Sequence, residues 1–278
     1  MIRLIGVVLT LNEKENIEAC INSLSFCNRI IVVDSGSSDE TCKIARNNNA
    51  EVIVNKQNHN FNIAKQRNYS LDYLSKVEEN DCWVLFLDAD ERCTIQFKQN
   101  ILSSIESENF NSYRCTPKYI FNNHWIKSYQ EYPAWHDRLV LLGANNFDGG
   151  VWEHFKSYKN TGYIKTPFIH LAMSKGLDEW LIKHIRYADW DANQTFLSIK
   201  GIGKNKYKTK RRKILRKLSF LFWPIRPLTR FVYRYILRLG FKDGINSLLF
   251  ALCMMIFDSI YVLKVFFLIF GITKNDKI

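Results

Sequence analysis

The amino-acid sequence predicts an α/β domain built on a mostly parallel sheet, followed by a basic, amphipathic helical region. Two observations predict the sheet. Short apolar runs alternate with helical patterns, as in strand–helix units joined by right-handed crossovers, and three of those runs end on polar residues. A third observation predicts the appendage: between Asp191 and Asp243 there is no acidic residue, yet the stretch carries fifteen lysines and arginines, more than the whole net charge of +12. Without it the chain is slightly acidic, so the charge is local. The expected boundaries are 1–199 for the α/β domain and 200–278 for the basic region.

Ile2 to Leu9 is apolar, too short for a helix and suited to a strand buried on both faces. Asn12 with Glu15 three residues on is a capping-box pattern for a helix reaching about Leu24. Arg29 to Val33 is the second strand, ending at Asp34. Ser35 to Glu40 is a turn that caps a helix to about Asn47. Glu51 to Val54, a helix from Asn62 to Ser75, and the strand Trp83 to Leu87 follow. Tyr113 to His170 reads as irregular structure and short strands, and Leu177 to Ser198 as a helix. The 47% hydrophobic content supplies a core and excludes disorder. The seven cysteines form no Cys-x-x-Cys pair, which argues against a zinc site or a disulfide framework. No signal peptide is read before the first strand, so a cytoplasmic catalytic part is expected.

In such a sheet, ligands bind beyond the carboxyl ends of the strands, where Thr10, Asp34 and Asp88-Ala89-Asp90 fall. Asp88 and Asp90, one residue apart at a strand exit, can share a hard divalent cation (Mg²⁺ or Mn²⁺) and leave positions for phosphate oxygens. Such a cation neutralises a departing diphosphate. Asp34 can accept a hydrogen bond from a base imide or a ribose hydroxyl. Arg67 offers a planar fork for diphosphate, or else belongs to a solvated helix face. There is no Gly-x-Gly-x-x-Gly after the first strand and no phosphate-binding Gly-Lys-Ser/Thr loop. The segments Trp135-His136-Asp137-Arg138 and Gly149-Gly150-Val151-Trp152-Glu153-His154 combine aromatic faces with polar groups. That combination suits a sugar acceptor bound by Trp135, Asp137, Arg138, Trp152 and His154. A general base is needed there, with Glu153 and Asp137 as candidates. His154 and His170 are further metal ligands or hydrogen-bonded core histidines.

Thr10-Leu11-Asn12-Glu13, Val32 to Thr41, Arg67-Asn68 and Asp88-Ala89-Asp90-Glu91 together resemble family 2 glycosyltransferases, which have the GT-A nucleotide-diphospho-sugar transferase fold. Val151-Trp152-Glu153, Ile169-His170 and Lys183-x-x-Arg186-Tyr187 look closest to the lipopolysaccharide inner-core β-1,4-glucosyltransferases. Trp152 stands where that branch carries His. The resemblance implies inverting transfer of a hexose, glucose, from a UDP-sugar to a lipid-linked saccharide. It implies nucleotide-sugar contacts from Thr10, Asn12, Glu13, Asp34, Arg67, Asp88 and Ala89. Asp34 would meet uracil, Asp88 the ribose or the metal and Asp90 the metal, with Glu153 as base. The rival readings are a sugar nucleotidyltransferase and a non-catalytic nucleotide-sugar-binding module.

Lys204 to Lys217 is polybasic, and Arg226, Arg230, Arg234 and Arg238 recur at close to the helical period among Phe231, Val232, Tyr235, Ile236 and Leu239. A basic stripe beside an apolar one describes a helix in an anionic membrane surface, each cation contributing roughly 1 kcal/mol. The interleaved aromatic residues argue against nucleic acid. Ile245 to Ile272 is apolar but interrupted by Asp258 and Lys264. It falls short of the ~20 unbroken residues of a span, so a monotopic or hairpin-like anchor at the cytoplasmic face of the plasma membrane is expected, with a transmembrane helix as the lesser alternative.

Overall fold

The structure, a computed structural model, describes residues 3–57, 62–78, 81–107, 109–128, 130, 132–200 and 223–271. The chain divides into two units: Met1–Trp125 with Tyr132–Ser174, and Ile126–Glu131 with Lys175–Ile278. The compositional boundary at 200 therefore lies inside the second unit.

The first unit is built on one sheet. Strands β1 (Arg3–Thr10), β2 (Arg29–Asp34), β3 (Glu51–Val54) and β4 (Cys82–Asp88) lie in the order β3-β2-β1-β4, all parallel. Helices α1 (Ile17–Ser23), α2 (Thr41–Asn47) and α3 (Ile63–Val77) connect them. Alternation along the strands sends side chains to two cores. Leu4, Val8, Val32, Leu85 and Leu87 pack with Ile17 and Ile21 of α1 on one face. Ile5, Val7, Ile31, Val33, Val84 and Phe86 pack with Ala64, Leu71 and Leu74 of α3 on the other. Each such side chain taken fully from water contributes about 1.5–3 kcal/mol.

Beyond β4 the sheet departs from the expected mostly parallel arrangement and becomes mixed. The order continues β4-β8-β6-β11-β5, with β5 (Glu91–Arg92), β6 (Ser112–Phe121), β8 (His136–Leu141) and β11 (Thr161–Leu171). β4–β8, β8–β6 and β11–β5 are antiparallel, and β6–β11 is parallel. β7 (His124–Trp125) pairs with the end of β6, and β9 (Phe147–Asp148) with β10 (His154–Phe155) in a separate ribbon. Among the described residues no helix lies between β6 and β8, and a connection without a crossover joins antiparallel neighbours.

Three local expectations are corrected. Tyr113 to His170 contains two long strands, whose Arg114, Pro117, Lys118, Lys165 and Pro167 break the apolar alternation; β11 is irregular between Ile164 and Phe168. Helix α4 (Ile95–Glu106) was not anticipated, although Thr94 Oγ1 caps it by accepting from Phe97 N, and Phe97, Ile101 and Ile105 form its buried stripe. Finally, α1 begins at Ile17, because the Asn12 side chain accepts from Ser38 N instead of capping a helix.

In the second unit, α5 (Gly176–Ile199) packs against the terminal helix Ile245–Phe270 through Trp180 and Phe250 and a 2.9 Å Thr195–Tyr261 hydroxyl pair. The terminal helix is one unbroken rod of 26 residues, not a hairpin, and is long and apolar enough to cross a membrane by length and composition. Its two interrupting charges are neutralised within the unit. Asp258 is buried and accepts from Arg226 Nε (2.8 Å) and Arg230 Nη1 (2.7 Å), while Lys264 pairs with Asp189. Arg226 and Arg230 are thus drawn out of the expected basic stripe, because a buried carboxylate needs compensating charge. The polybasic tract Lys204 to Lys217 lies outside the described residues.

Candidate active site

The parallel register sets the floor of the site. Thr10 lies opposite Asp34 and Leu9 opposite Asp88, so three strand exits stand level. Ala89 N donates to Leu9 O (3.2 Å) and Asp88 N to Glu91 Oε2 (2.9 Å), which curls Asp88-Ala89-Asp90 back into β5. Pairing of β5 with β11 then sets His170 opposite Glu91.

At the β2 exit, the Asp34 carboxylate is taken up locally. Oδ2 accepts from Gly36 N and Ser37 N (both 2.8 Å), and Oδ1 from the Ser37 hydroxyl. Gly36 has φ +105°, which only glycine adopts readily. Asn12, itself left-handed at φ 55°, donates its backbone N–H to Ser37 Oγ and accepts from Ser38 N. Glu13 N donates to Thr41 Oγ1, and its carboxylate accepts from Asn16 (2.8 Å). These bonds knit the β1 and β2 exits into one ledge. The buried Thr10 hydroxyl on it has no hydrogen-bond partner among the described residues.

Arg67 from α3 and Arg138 from β8 meet at the β4 exit. Their side chains are 0% and 3% exposed. Arg67 Nη2 donates to Asp88 Oδ1 (3.1 Å) and Glu153 Oε1 (3.0 Å). Arg138 Nη2 donates to Asp88 Oδ2 (3.1 Å) and Glu91 Oε1 (2.7 Å), and its Nη1 to Glu153 Oε1 (3.5 Å). Aromatic faces support both cations: Phe86 and Phe147 lie 5.1 and 5.5 Å from Arg67, and Phe168 lies 5.7 Å from Arg138. Burial, reinforced by the Glu91 charge, pushes Asp88 up to about 8 against the pull of Arg67. Burial likewise raises Glu91, with Asp90 adding to it.

Asp90 faces His170, with Oδ2 3.9 Å from Nε2, and the other imidazole nitrogen lies 3.3 Å from Glu91 Oε1. A histidine held by a carboxylate at one nitrogen and facing another at the second is oriented as a metal-bound imidazole is. Among the described residues no group of three or more His, Cys, Asp or Glu side chains is arranged around one cation position. The donor set nonetheless fits a divalent ion. Asp88, Glu91 and Glu153 contact two guanidiniums while Asp90 faces His170, so acidic groups outnumber the buried cations, an excess that a divalent ion would offset.

Glu153 sits on a loop tied to the start of α3, where Ile63 N and Ala64 N donate to Gly150 O. Gly149 (φ +98°) must be glycine, since a Cβ there would meet Trp152 O at 2.6 Å. Trp152 is 56% exposed, and His154 is exposed. Trp135 packs edge-on against Tyr163 at 4.8 Å. Asp137, the other base candidate, points away from Arg138 on the opposite face of β8. It is buried among Arg114 Nε (2.7 Å), Phe155 N and Tyr158 Oη (3.0 Å). Those bonds occupy its carboxylate, so it is not brought into the cluster. Read from the sequence, Glu91 is only the last residue of the acidic motif and Arg138 an acceptor contact. A charged residue before Leu139 and Val140 in an apolar strand was the signal that Arg138 faces a buried partner.

Residues 7–171 match the profile described as Glycosyl transferase family 2. An uncharacterized glycosyltransferase of Rickettsia bellii (strain RML369-C) is 32% identical over 107 residues, 38% of this chain and 34% of the relative. The SPbeta prophage-derived glycosyltransferase SunS of Bacillus subtilis (strain 168) is 28% identical over 157 residues, 55% of this chain and 35% of the relative. The chain therefore spans about a third of the length of these curated relatives. A solved structure of glucosyl-3-phosphoglycerate synthase from Mycobacterium tuberculosis, in complex with Mn²⁺, UDP and glucosyl-3-phosphoglycerate, aligns with a TM-score of 0.46 and 16% identity, covering 73% of this chain and 81% of that one. The mixed α/β fold is GT-A-like, and, with more than half its length matched by the family profile, the chain belongs to glycosyl transferase family 2.

Proposed function

We propose that this glycosyltransferase moves a hexose, glucose, with inversion from a UDP-sugar to a lipid-linked saccharide such as lipopolysaccharide core, at the cytoplasmic face of the plasma membrane. The observation that carries the reading is the convergence of Asp88, Glu91 and Glu153 on Arg67 and Arg138, beside the facing Asp90–His170 pair. Asp90 and His170 would hold Mg²⁺ or Mn²⁺, which supplies charge neutralisation for the departing diphosphate. Asp88, whose carboxylate the guanidiniums already hold, meets the ribose. The ledge of Thr10, Asn12, Glu13 and Asp34 receives the nucleoside, and Ala89 forms part of its floor. Glu153 takes the proton from the acceptor hydroxyl as that oxygen attacks the anomeric carbon. Trp152, with Trp135 and His154, supplies the acceptor with an aromatic face and a polar edge.

The sugar and acceptor classes rest on the resemblance to the inner-core glucosyltransferases. Membrane attachment is supported by burial in the terminal helix. The buried face carries the polar Asn246, Ser247 and Asp258 among Phe250, Ala251, Phe257, Tyr261, Val262 and Val265, while Ile245, Leu249, Leu252, Ile256, Leu263 and Phe270 face outward. An apolar outer face, with the charged residue turned inward, suits lipid better than water. The polybasic tract is the matching electrostatic element.

A donor screen by UDP release, with membrane lipid extract as acceptor, tests the reading. Acceptor-stimulated release from UDP-glucose, abolished by a chelator, is expected. UDP binding without release on any acceptor would favour a non-catalytic binding module, and release of pyrophosphate from a nucleoside triphosphate would favour a nucleotidyltransferase.

A further inference from the structure

We infer that Arg67 and Arg138 are positioning residues: a buried two-guanidinium clamp that pins one oxygen of Glu153 and leaves the other to accept the proton. The inference rests on the assignment of Glu153 as base. Glu153 Oε1 lies between Arg67 Nη2 at 3.0 Å and Arg138 Nη1 at 3.5 Å, whereas no hydrogen bond from a described residue reaches Oε2. The Glu153 side chain is 12% exposed, so Oε2 has a route to substrate that the guanidiniums do not.

Burial decides between clamp and diphosphate ligand. Arg67 is wholly buried, and its Nε and Nη1 have no hydrogen-bond partner among the described residues. It lies within cation–π distance of Phe86 and Phe147. Its donated bonds come from Nη2 alone, and both go to carboxylates. Arg138 is held similarly, with Nε buried and without a partner among the described residues and its two terminal nitrogens shared among Asp88, Glu91 and Glu153. A diphosphate could reach either cation only by displacing carboxylates already at 2.7–3.5 Å. The same clamp grips both oxygens of Asp88, at the nucleotide side, so it fixes the spacing between the donor and acceptor sides. A planar fork can serve several carboxylates at once; a lysine ammonium has one centre.

The test is a double-mutant cycle on Glu153→Gln and Arg138→Lys, with steady-state kinetics, UDP titration calorimetry and thermal unfolding. Arg138→Lys is expected to lower kcat by about 10- to 100-fold, with the KM for UDP-sugar and the Kd for UDP held within about twofold. In the Glu153→Gln background it should lower kcat no further, because the arginine acts through the glutamate. A rise of about tenfold or more in KM and UDP Kd with kcat unchanged would overturn the clamp in favour of a diphosphate ligand. Losses that multiply in the double variant would also overturn it. If Glu153→Gln alone keeps full kcat, the base assignment fails; if it loses kcat while Arg138→Lys does not, only the clamp fails. Should the lysine variant not fold, Glu153→Asp keeps both arginines and withdraws the carboxylate by one methylene. Reduced kcat at unchanged KM then supports pinning, and undiminished kcat contradicts it.

Discussion

Replacement of Glu153 by glutamine separates structure from chemistry. An amide oxygen at the Oε1 position can still accept from Arg67 at 3.0 Å and Arg138 at 3.5 Å, so the clamp keeps its geometry. The fold loses only the difference between charged and neutral hydrogen bonds, about 1–2 kcal/mol. The atom at the Oε2 position becomes an amide nitrogen that cannot take a proton. General-base catalysis contributes about 10²- to 10⁴-fold, or ~2.7–5.5 kcal/mol of barrier. The effect on turnover therefore exceeds the effect on stability, and the donor KM stays near that of the parent. Initial rates of UDP release against donor concentration, with a thermal melt on the same preparations, read both quantities. A variant with near-parental kcat would refute Glu153 as the base, and a collapsed melt would refute the claim that the amide preserves the clamp.

Three further outcomes are expected from the packing of the chain. Asp258→Ala leaves Arg226 and Arg230 without the buried carboxylate they share, and should destabilise by about 3–5 kcal/mol in denaturant unfolding of detergent-solubilised protein. A cost under about 1 kcal/mol would mean that the pair is not desolvated. Gly162→Ala would put a Cβ 2.7 Å from ring carbons of Phe110 and Tyr113, with an expected overpacking cost of about 1–3 kcal/mol in the same assay. Burial pushes the His136 imidazole down to about 4. Its folded value lies below the unfolded one near 6.5, so its contribution to stability is full above about pH 6.5 and is lost as pH falls toward 4. An NMR titration of the ring should find it neutral at pH 5.5, and a midpoint near 6.5 would contradict its burial.

The first half of the sheet was legible because its strands are short apolar runs whose length and ends follow from hydrophobicity. Arg3 to Thr10 and Cys82 to Asp88, buried on both faces, show this directly, and Glu51 to Val54 keeps the apolar run although it is only half-buried. The second half was not. β6 and β11 carry prolines and cations at positions whose burial depends on partners distant in sequence, and only the folded register reveals them. The site divides in the same way. Asp88-Ala89-Asp90 and Asp34 could be read from their places at strand ends. The pairing of Arg67 with Glu153 spans 86 residues and follows no local period. Asp137 and Glu153 were equal candidates as acids in polar-aromatic segments. Their difference lies in the neighbours that occupy Asp137, which are three-dimensional facts.

The most direct test of the account is UDP release from UDP-glucose, measured with Mn²⁺ or Mg²⁺ and after chelation, in the parent and in Asp90→Ala. The facing Asp90–His170 pair and the excess of carboxyl groups over guanidiniums predict turnover that falls at least about 100-fold on chelation, returns with the metal, and is not restored by metal in Asp90→Ala. Undiminished turnover in the chelated parent, or in Asp90→Ala at ambient metal, would contradict the account.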